Sequence, residues 1–167
     1  MKGNKGITLI ALVITIIVLL ILAGVSIAML TGENSILKKG SQADAENQLG
    51  AANDAISILV AEKVSEYYEK AYVDQEQTTL QNGLNAYIAG AVDADACERV
   101  IQNDNIKKSG DGSSITVDWT NVDKTATGTN RDTEVQDVFK ITLTDNTTTY
   151  TSHGAYRNGK VTWKITK

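Results

Sequence analysis

The residues that could carry chemistry are few and lie far apart in this sequence. His153 is the single histidine and Cys97 the single cysteine, so the usual four ligands of a zinc site cannot be assembled from them. No serine lies in a Gly-x-Ser-x-Gly elbow, and the phosphate-binding P-loop pattern is absent. We therefore expect no enzymatic activity, no cofactor and no bound metal. We expect His153 at a solvent-facing or edge position and Cys97 as a small buried hydrophobic side chain.

Two groups of carboxylates are close enough in sequence to be weighed as calcium ligands. They are Asp93, Asp95 and Glu98 in one group, and Asp118, Asp123 and Asp132 in the other. Neither group has the spacing of a twelve-residue calcium loop. Helix capping and solubility explain both groups, with calcium binding as the alternative reading.

A long apolar run near the start is the dominant feature of the chain. Residues 7–30 are 24 consecutive uncharged and mostly apolar residues, preceded by a short leader, residues 1–6, that carries Lys2 and Lys5. A helix of that length reaches roughly 36 Å, enough to cross the ~30 Å hydrocarbon core of a bilayer. The basic flank predicts that the leader stays in the cytoplasm and that the rest of the chain faces outward.

Three kinds of protein share a basic start and an apolar run. A secretory signal peptide is excluded by length, because its apolar core is usually about 7 to 15 residues. A plain single-span anchor explains the length and orientation. The third reading comes from the segment KGITLI at residues 5–10 and the ALVI that follows at 11–14, which together resemble the leader and mature start of type IV pilins and pseudopilins. The resemblance implies cleavage by a prepilin peptidase between Gly6 and Ile7, with Ile7 as the candidate for N-methylation.

The resemblance also implies that the apolar helix mediates assembly into a fibre. The candidate membrane and assembly residues are Thr8, Leu9, Ile10, Ala11, Leu12, Thr15 and Gly24. Ala11 departs from the family pattern, which usually has a glutamate there to pair with the terminal amine of a neighbouring subunit. The hydroxyl groups of Thr8 and Thr15 either take over that role or bond to carbonyls of their own helix. Gly24 is read either as a softened point during assembly or as a close helix contact.

Apolar spacing extends the helical prediction well beyond the membrane run. The predicted apolar positions of this amphipathic extension, residues 31–72, are Ile36, Leu37, Ala43, Leu49, Ala52, Ile56, Val60, Val64, Tyr67 and Ala71. Together with the membrane run they predict a helix from Ile7 to about Ala71, loosened at Gly24, at residues 31–34 and at Gly40.

Residues 73–167 are predicted to form a globular head. Short helices are expected around residues 80–88 and after Asp93, followed by a loop at residues 107–112. From Ser114 the apolar period changes to two, which predicts strands at 115–119, 139–143, 147–156 and 161–165, with a type I′ hairpin at residues 158–159 and a surface loop at 121–137. The predicted fold is α+β and pilin-like, a long N-terminal helix packed on a C-terminal antiparallel sheet of about four strands.

Three functions fit these expectations. The first is a structural subunit, held in the cytoplasmic membrane of a bacterium and then polymerised with itself and other pilins into a surface fibre. The second is a minor pseudopilin of a secretion or DNA-uptake system, and the third is a membrane-tethered module whose sheet or Thr-rich loop binds a surface. The net charge of −4, from 16 basic and 20 acidic residues, predicts no direct binding of nucleic acid.

Overall fold

The computed structural model describes residues 5–32, 35–73, 83–107, 112–125, 134–145 and 148–167. Its helices are α1 (Lys5–Thr31), α2 (Ile36–Val73), α3 (Leu84–Ala91), α4 (Ala94–Val100) and α5 (Asp104–Lys107). Its strands are β1 (Ser114–Val117), β2 (Val135–Asp145), β3 (Thr148–Arg157) and β4 (Lys160–Thr166). The chain divides into two units, Met1–Ala43 and Asp44–Lys167.

The first unit contains the end of α1 and the start of α2. The backbone N–H of Gly32 donates to the carbonyl oxygen of Ala28 at 3.0 Å, and a Cβ at residue 32 would lie only 2.9 Å from that oxygen, so glycine suits the helix end. Ser35 then caps α2, because its hydroxyl accepts a hydrogen bond from the backbone N–H of Lys38 at 3.2 Å.

The predicted helical stretch from Ile7 to about Ala71 is confirmed as two helices, because α1 ends at Thr31 and α2 begins at Ile36. The described non-helical residues between them are Gly32 and Ser35, and Gly32 lies within residues 31–34, one of the three places where loosening was expected. Both helices continue through the other two places, Gly24 and Gly40, because a single glycine lowers helix stability by only about 1 kcal/mol.

In the second unit, α2 packs its apolar side against the sheet. The buried residues of this side are Ala45, Leu49, Ala52, Ile56, Leu59, Val60 and Tyr67. Two hydrogen bonds fix the helix on the sheet: the Ser152 hydroxyl donates to Asn53 Oδ1 at 2.7 Å, and Trp163 Nε1 donates to Ser57 Oγ at 2.8 Å. The predicted apolar side is confirmed from Leu49 to Val60, and it is wrong for three earlier residues, Ile36, Leu37 and Ala43, which are exposed and precede the second unit.

The sheet is an antiparallel meander with strand order β1-β2-β3-β4. The β3–β4 hairpin turns at Asn158 and Gly159, whose φ angles of 49° and 82° are the two positive values that a type I′ turn requires. The predicted meander and hairpin are confirmed. With α2 lying across four antiparallel strands, the predicted α+β class is confirmed as well.

The start of β2 differs from the prediction. A surface loop was expected at residues 121–137, but Val135, Gln136 and Asp137 already belong to β2. The pairing with β3 is irregular between Val135 and Phe139, and Asp137 has a positive φ of 58°. Such a bulge interrupts the period of two, which is why alternation did not reveal this part of the strand. Residues 126–133 of the predicted loop lie outside the described residues.

A cluster of aromatic rings joins the small helices to the sheet. Trp119 meets Phe139 and Tyr156 edge to face, with ring centroids 5.5 and 5.0 Å away, and its Nε1 donates to the carbonyl oxygen of Val92 at 2.8 Å.

The helix cap predicted at Asp93 is confirmed, since Asp93 Oδ1 accepts a hydrogen bond from the backbone N–H of Ala96 at 2.7 Å. The helix expected around residues 80–88 is confirmed from Leu84 onward, and Leu80 lies outside the described residues. The loop expected at 107–112 begins one residue late, because Lys107 ends α5, and residues 108–111 are outside the described part.

Candidate membrane helix and sheet surface

Within α1, the stretch Leu9–Met29 is long and apolar enough to cross a membrane. Its large apolar side chains are between 46% and 68% exposed, and they occupy successive positions around the helix instead of one side. A helix that is apolar all round has no solvent-facing side in water and needs an apolar environment on every side. One N-terminal apolar helix that could span a membrane is therefore the clearest functional feature of the described residues.

The polar side chains of this helix are bonded within it. The hydroxyl of Thr15 donates to the carbonyl oxygens of Ala11 and Leu12, and the hydroxyls of Ser26 and Thr31 each donate to a carbonyl one turn earlier. Such bonds allow a hydroxyl to enter lipid without an unpaired donor. For Thr15, the expectation of bonding to its own helix is confirmed.

The predicted processing residues lie in the first turn of α1. The helix begins at Lys5, so the peptide bond between Gly6 and Ile7 is helical, and residues 1–4 of the leader are outside the described part. Thr8 follows in the same turn, and Leu9, Ile10, Ala11 and Leu12 follow as exposed residues. Gly24 lies further along, and a Cβ there would meet no other atom within 4 Å.

Cys97 is buried and unreactive. Its thiol has no exposed surface, and burial, together with the nearby charges of Asp93 and Glu98, raises its pKa to about 12. A thiol acts as a nucleophile through its thiolate, which does not form at neutral pH under these conditions. The prediction of a buried hydrophobic role for Cys97 is confirmed.

His153 has partners that the sequence did not indicate. Its Nδ1 lies 2.6 Å from Asp137 Oδ1, and its Nε2 lies 3.2 Å from the hydroxyl of Thr166. The residue is partly exposed and stands on β3, an interior strand, so of the two predicted positions the edge position is wrong. The pairing depends on the bulge in β2, which brings Asp137 to the histidine. The sequence contains no pattern that predicts this bulge.

Three of the carboxylates weighed as calcium ligands, Asp93, Asp118 and Asp123, act as local caps. Asp118 and Asp123 accept backbone N–H bonds from Thr120 and Thr125, two residues later, as Asp93 does for α4. The hydrogen bonds from Thr120 lower the pKa of Asp118. Among the described residues, no three histidine, cysteine or carboxylate side chains gather at one point, and Asp132 lies outside them.

A groove of about 440 Å³ lies between α2 and the segment after α4. Its floor is formed by small and branched apolar side chains, including Ala51, Ala55 and Val100. Its rim carries amides, and Gln48 Oε1 accepts hydrogen bonds from Asn103 and Asn105 at 3.0 and 3.4 Å. The groove contains no titratable group that could serve as an acid, a base or a nucleophile.

The solvent-facing side of the sheet is the second feature of interest, and we call it the outer sheet face. Strand alternation places there Ser114, Thr116, Lys140, Thr142, Thr144, Thr149, Thr151, His153, Arg157, Lys160, Thr162, Lys164 and Thr166, together with Ala155, which is buried. The exposed residues Gln136 and Asp137 join this face at the bulge of β2. The large aromatic residues of the same strands, such as Phe139, Tyr156 and Trp163, point to the other side. The outer sheet face is therefore hydroxylated and basic, and it lacks aromatic rings.

No protein-family model, curated protein or solved structure matches this chain.

Proposed function

We propose that this chain is a type IV pilin-like structural subunit. In this proposal, α1 first holds the chain in the cytoplasmic membrane of a bacterium, a prepilin peptidase cleaves between Gly6 and Ile7, and α1 then packs against α1 of other copies in a surface fibre. The observation that carries the proposal is the apolar surface of Leu9–Met29, which is exposed on all sides of α1.

That surface fits both environments that a pilin-like helix must occupy. In the bilayer, each apolar side chain contacts lipid, and no charged residue in the stretch adds the ~2.5–3.5 kcal/mol insertion cost of a central charge. In a fibre, the same side chains would contact neighbouring helices. Because lipid and protein interiors are similarly apolar, transfer between them relies on close packing and on hydrogen bonds, to which small residues such as Gly24 contribute.

The resemblance at residues 5–14 separates this proposal from that of a plain anchor. An anchor needs only length and polarity, whereas a prepilin peptidase needs a defined bond, and Gly6–Ile7 is that bond by resemblance. The bond lies in the first helical turn of α1, where the leading N–H groups have no partner within the helix. Unwinding this turn to fit a protease therefore breaks few hydrogen bonds, and glycine lowers the cost further.

The fold of the head supports the same proposal. A long helix whose outer part, from Asp44 onward, lies across a four-stranded antiparallel meander is the pilin-like α+β arrangement expected from the sequence. The absence of a carboxylate at Ala11 implies that assembly proceeds without the usual pairing of a glutamate with the terminal amine. Removing the lysine-containing leader still leaves that amine as the only charge near the start of the helix.

Cleavage tests the proposal directly. The chain is expressed with and without a prepilin peptidase, and its N-terminus is determined by intact-mass measurement and N-terminal sequencing. We expect the terminus at Ile7 only with the peptidase, loss of cleavage in Gly6→Leu, and retained cleavage in the matched control Gly3→Leu. A chain that keeps Met1 in every case would exclude processing and support the membrane-tethered binding module.

Abundance separates the major subunit from the minor pseudopilin. A major subunit with Ile7 at its terminus should dominate the protein of sheared surface fibres. If the cleaved chain is present there in only a few copies per fibre, the minor role that the missing glutamate at Ala11 favours is the correct one.

A further inference from the structure

We propose that the outer sheet face binds an acidic polysaccharide. The described outward positions of the four strands hold four basic residues, Lys140, Arg157, Lys160 and Lys164, against the carboxylate of Asp137 and that of Glu134, which precedes β2 and bonds to Gln136. The chain as a whole has a net charge of −4, so this face has the opposite sign to the rest of the molecule. Local positive charge on an acidic protein attracts anions to one surface only.

Two of these basic residues form a row across the sheet with His153 between them. Lys140 on β2 stands directly opposite His153 on β3, and His153 stands directly opposite Lys164 on β4. Neighbouring strands are about 4.8 Å apart, so the two lysines are separated by roughly 10 Å. The two lysines lie on either side of β3, and an anion bound over that strand would be attracted by both of them. Among the described residues, neither lysine makes an ion pair.

A row of hydroxyl groups runs beside this basic row. Ser114, Thr142, Thr151 and Thr166 are paired in register across all four strands. The hydroxyls of Ser114 and Thr142 are 2.9 Å apart, and the Ser114 backbone N–H donates to the Thr142 oxygen at 3.0 Å. Each hydroxyl has both a donor and acceptor sites, so the row can pair with hydroxyl groups of a sugar.

The remaining two basic residues extend the surface along the strands. Arg157 and Lys160 are a register pair beside the β3–β4 turn. They stand four residues from His153 and Lys164 along their strands, which corresponds to about 13 Å. A single ion would contact only one of these basic pairs, whereas an extended polyanion would contact both.

The chemistry of the face favours a polysaccharide over nucleic acid. Single-stranded nucleic acids gain affinity by stacking bases on aromatic rings, but the aromatic residues of these strands face the core. Base edges are also read by side chains such as asparagine and glutamine, and the one such side chain at the described outward positions, Gln136, donates its amide N–H to Glu134. A hydroxylated polymer with regularly spaced carboxylates or sulfates matches both the hydroxyl row and the basic row.

The test uses the full chain in detergent and measures binding to immobilised polygalacturonate. Neutral dextran controls for the requirement for charge, and oligo-dT represents nucleic acid. We expect binding to polygalacturonate that weakens with salt and no binding to dextran. Heparin in place of polygalacturonate distinguishes a sulfated from a carboxylated source, and binding to either supports the proposal. Tighter binding to oligo-dT than to both polysaccharides would overturn it, as would equal binding to dextran.

Charge reversal on the sheet locates the site. The variant Lys140→Glu with Lys164→Glu is compared with Lys39→Glu with Lys124→Glu, which changes the net charge equally at exposed positions outside the four strands. We expect the sheet variant to lose at least ~10-fold in affinity and the control less than ~3-fold, because only close charge pairs contribute strongly. Similar losses in both variants would overturn the proposal.

Removing one hydroxyl group tests the second row. Thr151→Val keeps the branched shape of the side chain and leaves the bonds between Ser114 and Thr142 intact, and we expect weaker binding to the polysaccharide with unchanged unfolding. Undiminished binding would contradict a role for the hydroxyl row. The proposal goes beyond the fibre function and does not depend on cleavage at Gly6, since uncleaved chain can be assayed and the sheet variants should be cleaved as the wild type is.

Discussion

Replacing Gly154 by alanine should destabilise the head strongly, although the change adds a single methyl group. A Cβ at residue 154 would lie 2.7 and 3.0 Å from two ring carbons of Trp163 and 2.9 Å from Cβ of Phe139. Ordinary carbon contacts are about 3.5–4.0 Å, so the neighbours would have to move by roughly 1 Å. Phe139 is fully buried, and Trp163 is tied to α2 through its hydrogen bond to Ser57.

The magnitude follows from these two constraints. Overpacking of a close-packed site costs about 1–3 kcal/mol, and losing the bond between Trp163 and Ser57 would add roughly 0.5–1.5 kcal/mol. Alanine recovers about 0.4–1 kcal/mol by restricting the unfolded chain. We therefore expect Gly154→Ala to lower the free energy of unfolding by about 0.5–4 kcal/mol, a Tm decrease of roughly 2–16 °C for a unit of this size.

Urea unfolding followed by tryptophan fluorescence is the assay. Trp119 and Trp163 are the only tryptophans and both belong to the second unit, so the signal reports on the head even when α1 is held in detergent. Gly90→Ala is the matched control, because a Cβ at residue 90 meets nothing within 4 Å and the site lies in α3. This control should gain about 0.5–1 kcal/mol in stability. If Gly154→Ala is as stable as the wild type while Gly90→Ala behaves as expected, the close approach at Gly154 has been misjudged.

Three further predictions concern α1, the helix–sheet contact and the buried thiol. Leu20→Lys, near the middle of the exposed apolar stretch, should reduce the fraction of protein that stays in the membrane after carbonate washing, because lysine disfavours insertion by about 3–4 kcal/mol relative to leucine. Leu20→Ala should leave that fraction unchanged. Asn53→Ala should lower the free energy of unfolding by about 1–3 kcal/mol, because it leaves the buried Ser152 hydroxyl unpaired, and adding Ser152→Ala to the same chain should restore part of the loss. Equal urea midpoints for the single and double variants would contradict this. Folding raises the pKa of Cys97 from 9.0 to about 12, so between these pH values the unfolded chain loses a proton that the folded chain keeps, and stability falls as the pH rises. Cys97→Ala should therefore show a smaller fall in urea midpoint than the wild type between pH 8 and pH ~11.

The sequence alone determined the features that depend on local order. The apolar residues 7–30 predict a membrane-spanning helix because crossing a bilayer requires only length and the absence of charge. Alternation in the last third predicts the strands, and Asn158 with Gly159 predicts the hairpin because few residues accept two positive φ angles in succession. Asp93 predicts a helix cap three residues before the donor it binds, and Cys97 predicts a buried thiol from its lack of basic neighbours.

Only the tertiary structure decided the features that join distant residues. The helix ends after Thr31 at Gly32, where a side chain would clash with the carbonyl oxygen of Ala28. The sequence indicated that place only as one weak point among three. The contact of His153 with Asp137 requires a bulge, which shifts strand register without leaving a periodic signal. The basic row of Lys140, His153 and Lys164 comes from three different strands, so it looks dispersed along an acidic chain and becomes a surface only when hydrogen bonding sets the register of the sheet.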